Sequence, residues 1–221
     1  MNTHPRISLI HALKASINPI EEAFTQGWPE AVLVNLLDDS LSADVARAGT
    51  ISEAMTQRFI DLAVYSERSG ADAVLFTCTA FNRCIDAARE ALDIPVLKPD
   101  EAMIEQALAY GPRLGLLTTF LPTMASATEQ IQLKAKTLDM VPELESHLVE
   151  GALAALQAGD GVSHDRLIAA SLDTLGECDV VMLAQFSMAR AALNLHSKVP
   201  VLTSPGAAVE KLRGLLGAGQ T

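Results

Sequence analysis

Ala71-Asp72-Ala73-Val74-Leu75-Phe76-Thr77-Cys78 recurs 107 residues later as Cys178-Asp179-Val180-Val181-Met182-Leu183-Ala184-Gln185. The same offset relates Arg6-Ile7-Ser8-Leu9-Ile10 to Arg113-Leu114-Gly115-Leu116-Leu117. Beyond a two-residue gap, Ile94-Pro95-Val96-Leu97 matches Val199-Pro200-Val201-Leu202. The chain is therefore written twice, as short β-rich apolar runs alternating with Ala-rich helical stretches. That alternation gives an α/β fold with largely parallel sheets. The expected architecture is two pseudo-symmetric lobes, each a mostly parallel sheet flanked by helices, with an active-site cleft between them. The lobes divide as 1–111 and 112–221, and the last helix of the first is a candidate to cross over to the second.

Expected strands in the first half are Ile7–His11, Ala31–Leu37, Ala73–Thr77 and Val96–Leu97. In the second they are Leu114–Thr118, a weaker run near Thr137–Val141, Val180–Ala184 and Val201–Thr203. Ala43–Ser69 is the longest helical candidate, with Ile51, Met55, Phe59 and Leu62 on an apolar stripe and Gly70 closing it. His147, His164 and His196 fall in stretches read as helical, where surface placement is the default.

Composition bounds the function. With 49% hydrophobic and 19% charged residues the chain is globular, not disordered. No apolar run approaches the length of a membrane span, and Met1–Arg6 does not read as a signal peptide; a cytoplasmic protein is expected. A net charge of −11 argues against a nucleic-acid partner, which rewards clustered Lys and Arg. It leaves a small anionic substrate open, because local donors outweigh global charge at short range. Three cysteines with no CxxC spacing, and no HExxH pattern, point to reduced thiols and to no metal site.

Open α/β sheets bind ligands beyond the carboxyl ends of their strands. That rule selects His11-Ala12, Thr77-Cys78-Thr79, Thr118-Thr119 and Ala184-Gln185-Phe186-Ser187, two stretches from each half. Cys78 leads. It follows an apolar strand and precedes a helix expected near Ala80, where the helix dipole favours a thiolate that can act as base or nucleophile. Most free cysteines are small buried hydrophobes, and Cys84 and Cys178 are read that way; Thr77, Thr79 and Asn82 around Cys78 favour chemistry. Gln185 mirrors Cys78, but an amide can orient a ligand and cannot relay a proton. Ser187 suits either a helix cap or a carboxylate donor, and Thr118 and Thr119 suit anion binding or loop capping. His11 is a titratable group near neutral pH or a satisfied structural histidine. Asp38-Asp39-Ser40 reads as a turn.

These segments resemble the aspartate/glutamate/hydantoin racemase superfamily over nearly the whole chain. The resemblance rests on the duplicated layout, on Leu75–Asn82, on Val180–Ala189 and on the Pro-Val-Leu segments that follow. It implies two α/β lobes, no cofactor, a small carboxylate substrate, and a homodimer or higher homo-oligomer. Racemases of the family use two cysteines, one removing the proton next to a carboxylate and one returning it from the opposite face. Carried over, Cys78 matches the first cysteine and Gln185 stands where the second should be. Thr79 and Ala80 replace the commoner Asn-Thr, and Phe186 replaces a small polar residue.

The expected function is therefore that of a cofactor-independent isomerase-type enzyme working at the carbon next to a carboxylate with a single thiol. Cys78 is the catalytic group, and Thr79, Asn82, Thr118, Thr119, Gln185 and Ser187 bind substrate. His11 is the substitute second base if two-base racemisation occurs. Arylmalonate-type decarboxylation and maleate-type cis–trans isomerisation, both known in the superfamily, are the alternatives within enzymes. A non-catalytic carboxylate-binding protein is the alternative outside them.

Overall fold

The eight apolar runs become two separate four-stranded sheets, ordered β2-β1-β3-β4 and β6-β5-β7-β8, with every pairing parallel. A computed structural model describes residues 4–193 and 195–217. The strands are β1 (Arg6–His11), β2 (Val32–Leu37), β3 (Ala73–Phe76), β4 (Val96–Leu97), β5 (Arg113–Thr118), β6 (Glu143–Leu148), β7 (Val180–Leu183) and β8 (Val201–Thr203). The helices are α1 (Ile17–Gly27), α2 (Ser40–Ala48), α3 (Glu53–Arg68), α4 (Asn82–Glu90), α5 (Glu101–Tyr110), α6 (Leu121–Thr137), α7 (Ala152–Gln157), α8 (Gly161–Leu172), α9 (Ala189–Ala192) and α10 (Ser204–Gly217). The protein is α/β in both units. No described helix is long and apolar enough to cross a membrane.

β3 and β7 are central, and all eight of their residues are buried, as parallel strands covered on both faces require. β2 and β6 are edges and are far more exposed. An aspartate fixes the start of each central pair. Asp72 accepts from the Arg6 N–H at 2.7 Å, and Asp179 accepts from the Arg113 N–H at 2.9 Å. At the other end, Thr77 N–H donates to Ile10 C=O and Ala184 N–H to Leu117 C=O, each at 3.0 Å. These bonds, 107 residues apart, put His11 beside Thr77 in one sheet and Thr118 beside Ala184 in the other.

Four expectations change. The strand sought near Thr137–Val141 is Glu143–Leu148, because α6 continues through Thr137 and the chain then turns at Asp139, whose φ is +52°. His147 accordingly lies on a strand, and His196 lies outside any helix. Ala43–Ser69 is two helices: Gly49, at φ +69°, ends α2, and the Ser52 hydroxyl caps α3 by accepting from Met55 N–H. The compact units also divide elsewhere than at 111/112. One runs to Pro99 and resumes at Pro205; the other is Asp100–Ser204. The reason is helix packing. α5 lies against β7, β8 and α6, with Lys134 and Glu105 paired at 2.8 Å. α10 lies against the end of α1, where Arg213 donates to Gly27 C=O.

Candidate active site

In the first unit the candidate residues gather where β1 and β3 end. Phe76 is the last residue of β3, Thr77 is buried, and Cys78 adopts an extended conformation (φ −133°, ψ 108°) ahead of one 3-10 turn, Thr79–Phe81, that leads into α4. Three packed rings brace this turn: Phe59 of α3 lies 5.3 Å from Phe76, stacked, and 4.8 Å from Phe81, tilted. Each ring is buried, contributing roughly 1.5–3 kcal/mol of transfer free energy. Phe81 is thus core. From Ala73 to Asn82 every residue is buried except Cys78, which stays partly accessible.

The second unit repeats that frame with a different side chain. After β7, Gln185 is extended (φ −128°, ψ 143°) ahead of a 3-10 turn, Phe186–Met188. From Val180 to Met188 only Gln185 is partly accessible. Phe186 is buried, like its counterpart Phe81. The Gln185 Oε1 accepts from Thr119 N–H at 2.6 Å and from the Thr119 hydroxyl at 3.0 Å. A backbone N–H can only donate, so the oxygen end of the amide faces Thr119 and the NH2 end is presented as a donor. The hydroxyls of Thr118 and Ser187 are buried, and neither has a hydrogen-bond partner among the described residues.

The other thiols differ from Cys78 in setting. Cys84, in α4, is buried against the Thr56 hydroxyl at 3.5 Å; burial pushes its thiol pKa up, and that hydrogen bond offsets part of the rise. Burial, and then the Glu145 charge, do the same to Cys178. Both thiols stay protonated at neutral pH.

His11 has partners on both ring nitrogens. Its Nδ1 lies 2.8 Å from the Thr77 hydroxyl and its Nε2 lies 2.9 Å from Asn35 Oδ1; Asn35 in turn donates to Glu21 at 2.7 Å. Burial is the largest influence on its pKa and pushes it below the ordinary histidine value, with Asn35 and Glu21 restoring part. A neutral imidazole held on both sides keeps a fixed ring orientation. Asn35 and Glu21 were not candidates from sequence; the one signal was a lone polar residue inside Val32-Leu33-Val34-Asn35-Leu36-Leu37.

Two further sequence readings meet the coordinates here. Asp38 does form a turn, accepting from both the N–H and the hydroxyl of Ser40 while pairing with Arg58. His164 is not on the surface but fully buried on α8, with its Nδ1 2.8 Å from Asp165, which is itself held by Arg190. The sheetward spacing of His164 and Ile168 on α8 explains the burial. Among the described residues no group of three or more His, Cys, Asp or Glu is placed to hold a metal ion.

The family model described as Asp/Glu/Hydantoin racemase matches residues 15–212. The chain belongs to that family. Its fold is similar to that of glutamate racemase from Bacillus anthracis (TM-score 0.77, 16% identity, 99% of this chain and 84% of that one). It is also similar to allantoin racemase from Klebsiella pneumoniae (TM-score 0.75, 20% identity, 98% and 89%). A variant of arylmalonate decarboxylase shares the fold as well (TM-score 0.63, 19% identity, 98% and 95%). No curated protein matches significantly by sequence.

Proposed function

We propose that this protein is a cofactor-independent enzyme of carbon-acid chemistry, working on a small carboxylate with Cys78 as its single proton-transferring thiol. The observation that carries the reading is the accessibility of Cys78 within an otherwise buried run, while Cys84 and Cys178 are buried with raised pKa values. The Cys78 thiolate takes the proton from the carbon next to the carboxylate. The C–H bond breaks, an S–H bond forms, and the electron pair moves onto the carboxylate as an enediolate. Preorganised donors would lower that charge's energy, because such donors need no reorganisation when it forms. The Gln185 NH2 and the hydroxyls of Thr79, Thr118, Thr119 and Ser187 are the proposed donors, with Asn82 beside Cys78 orienting the substrate. Gln185 cannot return a proton, so the reaction delivers it to one face only.

One-faced delivery favours a second reading, decarboxylation of a disubstituted malonate. There C–C cleavage leaves the same enediolate, and the Cys78 thiol supplies the single proton. The arylmalonate decarboxylase fold likeness is compatible with it. Proton NMR in heavy water, with amino acids, hydantoins, 2-hydroxy acids and malonates, tests both readings against Cys78→Ser. Loss of the signal next to the carboxylate in wild type alone supports proton exchange, and loss of carbon dioxide supports decarboxylation. Equal behaviour of wild type and variant across reacting substrates would refute the role of Cys78.

A further inference from the structure

The chain Glu21–Asn35–His11–Thr77 links a surface carboxylate to the residue before Cys78, and its hydrogen-bond directions are fixed by chemistry. The parallel register brings it together. Ile10 pairs with Phe76, so His11 and Thr77 are neighbours at the strand ends. Leu9 pairs with Asn35, so Asn35 shares a sheet face with Leu9 and His11. Asn35 donates from its NH2 to the Glu21 carboxyl oxygen at 2.7 Å, so the Asn35 oxygen faces His11. That oxygen requires a proton on His11 Nε2. A neutral imidazole then leaves Nδ1 bare, and the Thr77 hydroxyl must donate to it across 2.8 Å.

The Thr77 hydroxyl has a second acceptor in reach, Ile10 C=O at 3.3 Å. A proton added to His11 occupies Nδ1, which then donates to Thr77 and turns the Thr77 proton to Ile10. Two orientations of one buried hydroxyl, on the residue before Cys78, are thereby set by the protonation of His11. We propose that Asn35 and Glu21 are positioning residues: they hold His11 in the Nε2–H form and so fix the hydroxyl of Thr77, the residue that precedes Cys78 in the chain. This rests on the reading of Cys78 given above. Glu21 on α1 is the charged group that acts on His11, through Asn35. On the β2 side, Asp38 gives its N–H to His11 C=O and turns its carboxylate to Ser40 and Arg58, and Asp39 pairs with Lys14. On the other side Thr77, just past the end of β3, faces His11.

Asn35→Asp is the test, on an exposed strand position where the side chain swap is nearly isosteric. The full chain, labelled with 15N-histidine, is expected to show His11 as the neutral Nε2–H tautomer at pH 7. In Asn35→Asp the new carboxylate should raise the His11 pKa by about 1–3 units and populate the doubly protonated ring. The rate of Cys78 alkylation by iodoacetamide, taken as a ratio to wild type at each pH, should depart at least threefold from unity at low pH. It should return towards unity as pH rises through the new His11 pKa, when the wild-type tautomer is restored. A defect of packing alone would give a flat ratio. Glu21→Ala provides a second variant, expected to mix the two neutral tautomers. An Nδ1–H or charged His11 in wild type, or a ratio independent of pH, would overturn the proposal. Neither readout uses a substrate, so the two failures are distinguishable: inactivity towards every carboxylate counts against the catalytic reading, and a pH-independent ratio counts against the roles of Asn35 and Glu21.

Discussion

Gln185→Leu removes the acceptor of two hydrogen bonds while keeping the side chain close in size. The Thr119 hydroxyl can rotate towards another acceptor, but Thr119 N–H cannot, and Thr119 is buried. A buried donor left without a partner costs about 1–3 kcal/mol. The hydroxyl bond adds at most about 1 kcal/mol, so the expected loss is about 1–4 kcal/mol. For a chain of this length each kcal/mol lowers Tm by roughly 2–4 °C. Differential scanning calorimetry should therefore show a fall of roughly 2–16 °C, and Gln185→Glu, whose carboxylate also accepts from both donors, should fall less. A Leu variant as stable as wild type would refute the assignment of the amide oxygen to Thr119. The orientation of the NH2 donor would then fall with it. The companion variant Gln185→Cys restores a thiol at the position carried over from the family's second cysteine. Circular dichroism or chiral chromatography should detect racemisation in that variant and none in wild type.

Iodoacetamide at neutral pH should label one cysteine, Cys78, by peptide mass spectrometry, because Cys84 and Cys178 are buried with raised pKa values. Cys78→Ser should reduce solvent deuterium incorporation at least about a hundredfold with an unchanged circular dichroism spectrum. Hydrogen bonding to Arg113 holds the Asp179 carboxyl below its ordinary value. Its stabilising contribution is thus present above the unfolded pKa of about 4 and is lost as pH falls through the folded pKa; Asp179→Asn should flatten that acid limb in thermal melts. His11 behaves the same way at higher pH. Its folded pKa is lowered mainly by burial, so stability falls as pH drops below about 6.5. Gly111→Ala would drive a Cβ to 2.8 Å from Asp179 Cγ, and overpacking of this kind should cost about 1–3 kcal/mol in chemical denaturation.

The central strands were legible because β1, β3, β5 and β7 are continuous apolar runs, and the candidate site followed from where those runs stop. β6 was not legible: Glu143-Leu144-Glu145-Ser146-His147-Leu148 is an edge strand, whose charged residues face water and imitate a loop. The Gly49 break was hidden inside an apolar helical period that spans it. At the site, Cys78 and Gln185 could be placed by the offset alone, but their environments could not. The Thr119 bonds depend on a side-chain orientation, and the partners of His11, Asn35 on β2 and Thr77 after β3, lie 24 and 66 residues away in the chain. Contacts made by folding leave no local period in a sequence.

The unit Asp100–Ser204 is one unbroken stretch, inserted into a unit whose own last helix follows it. Synthesis from the N-terminus therefore finishes the units in reverse order. The inserted unit has all its residues once Ser204 has left the ribosome, whereas the unit that began first waits for α10, which packs against the end of α1.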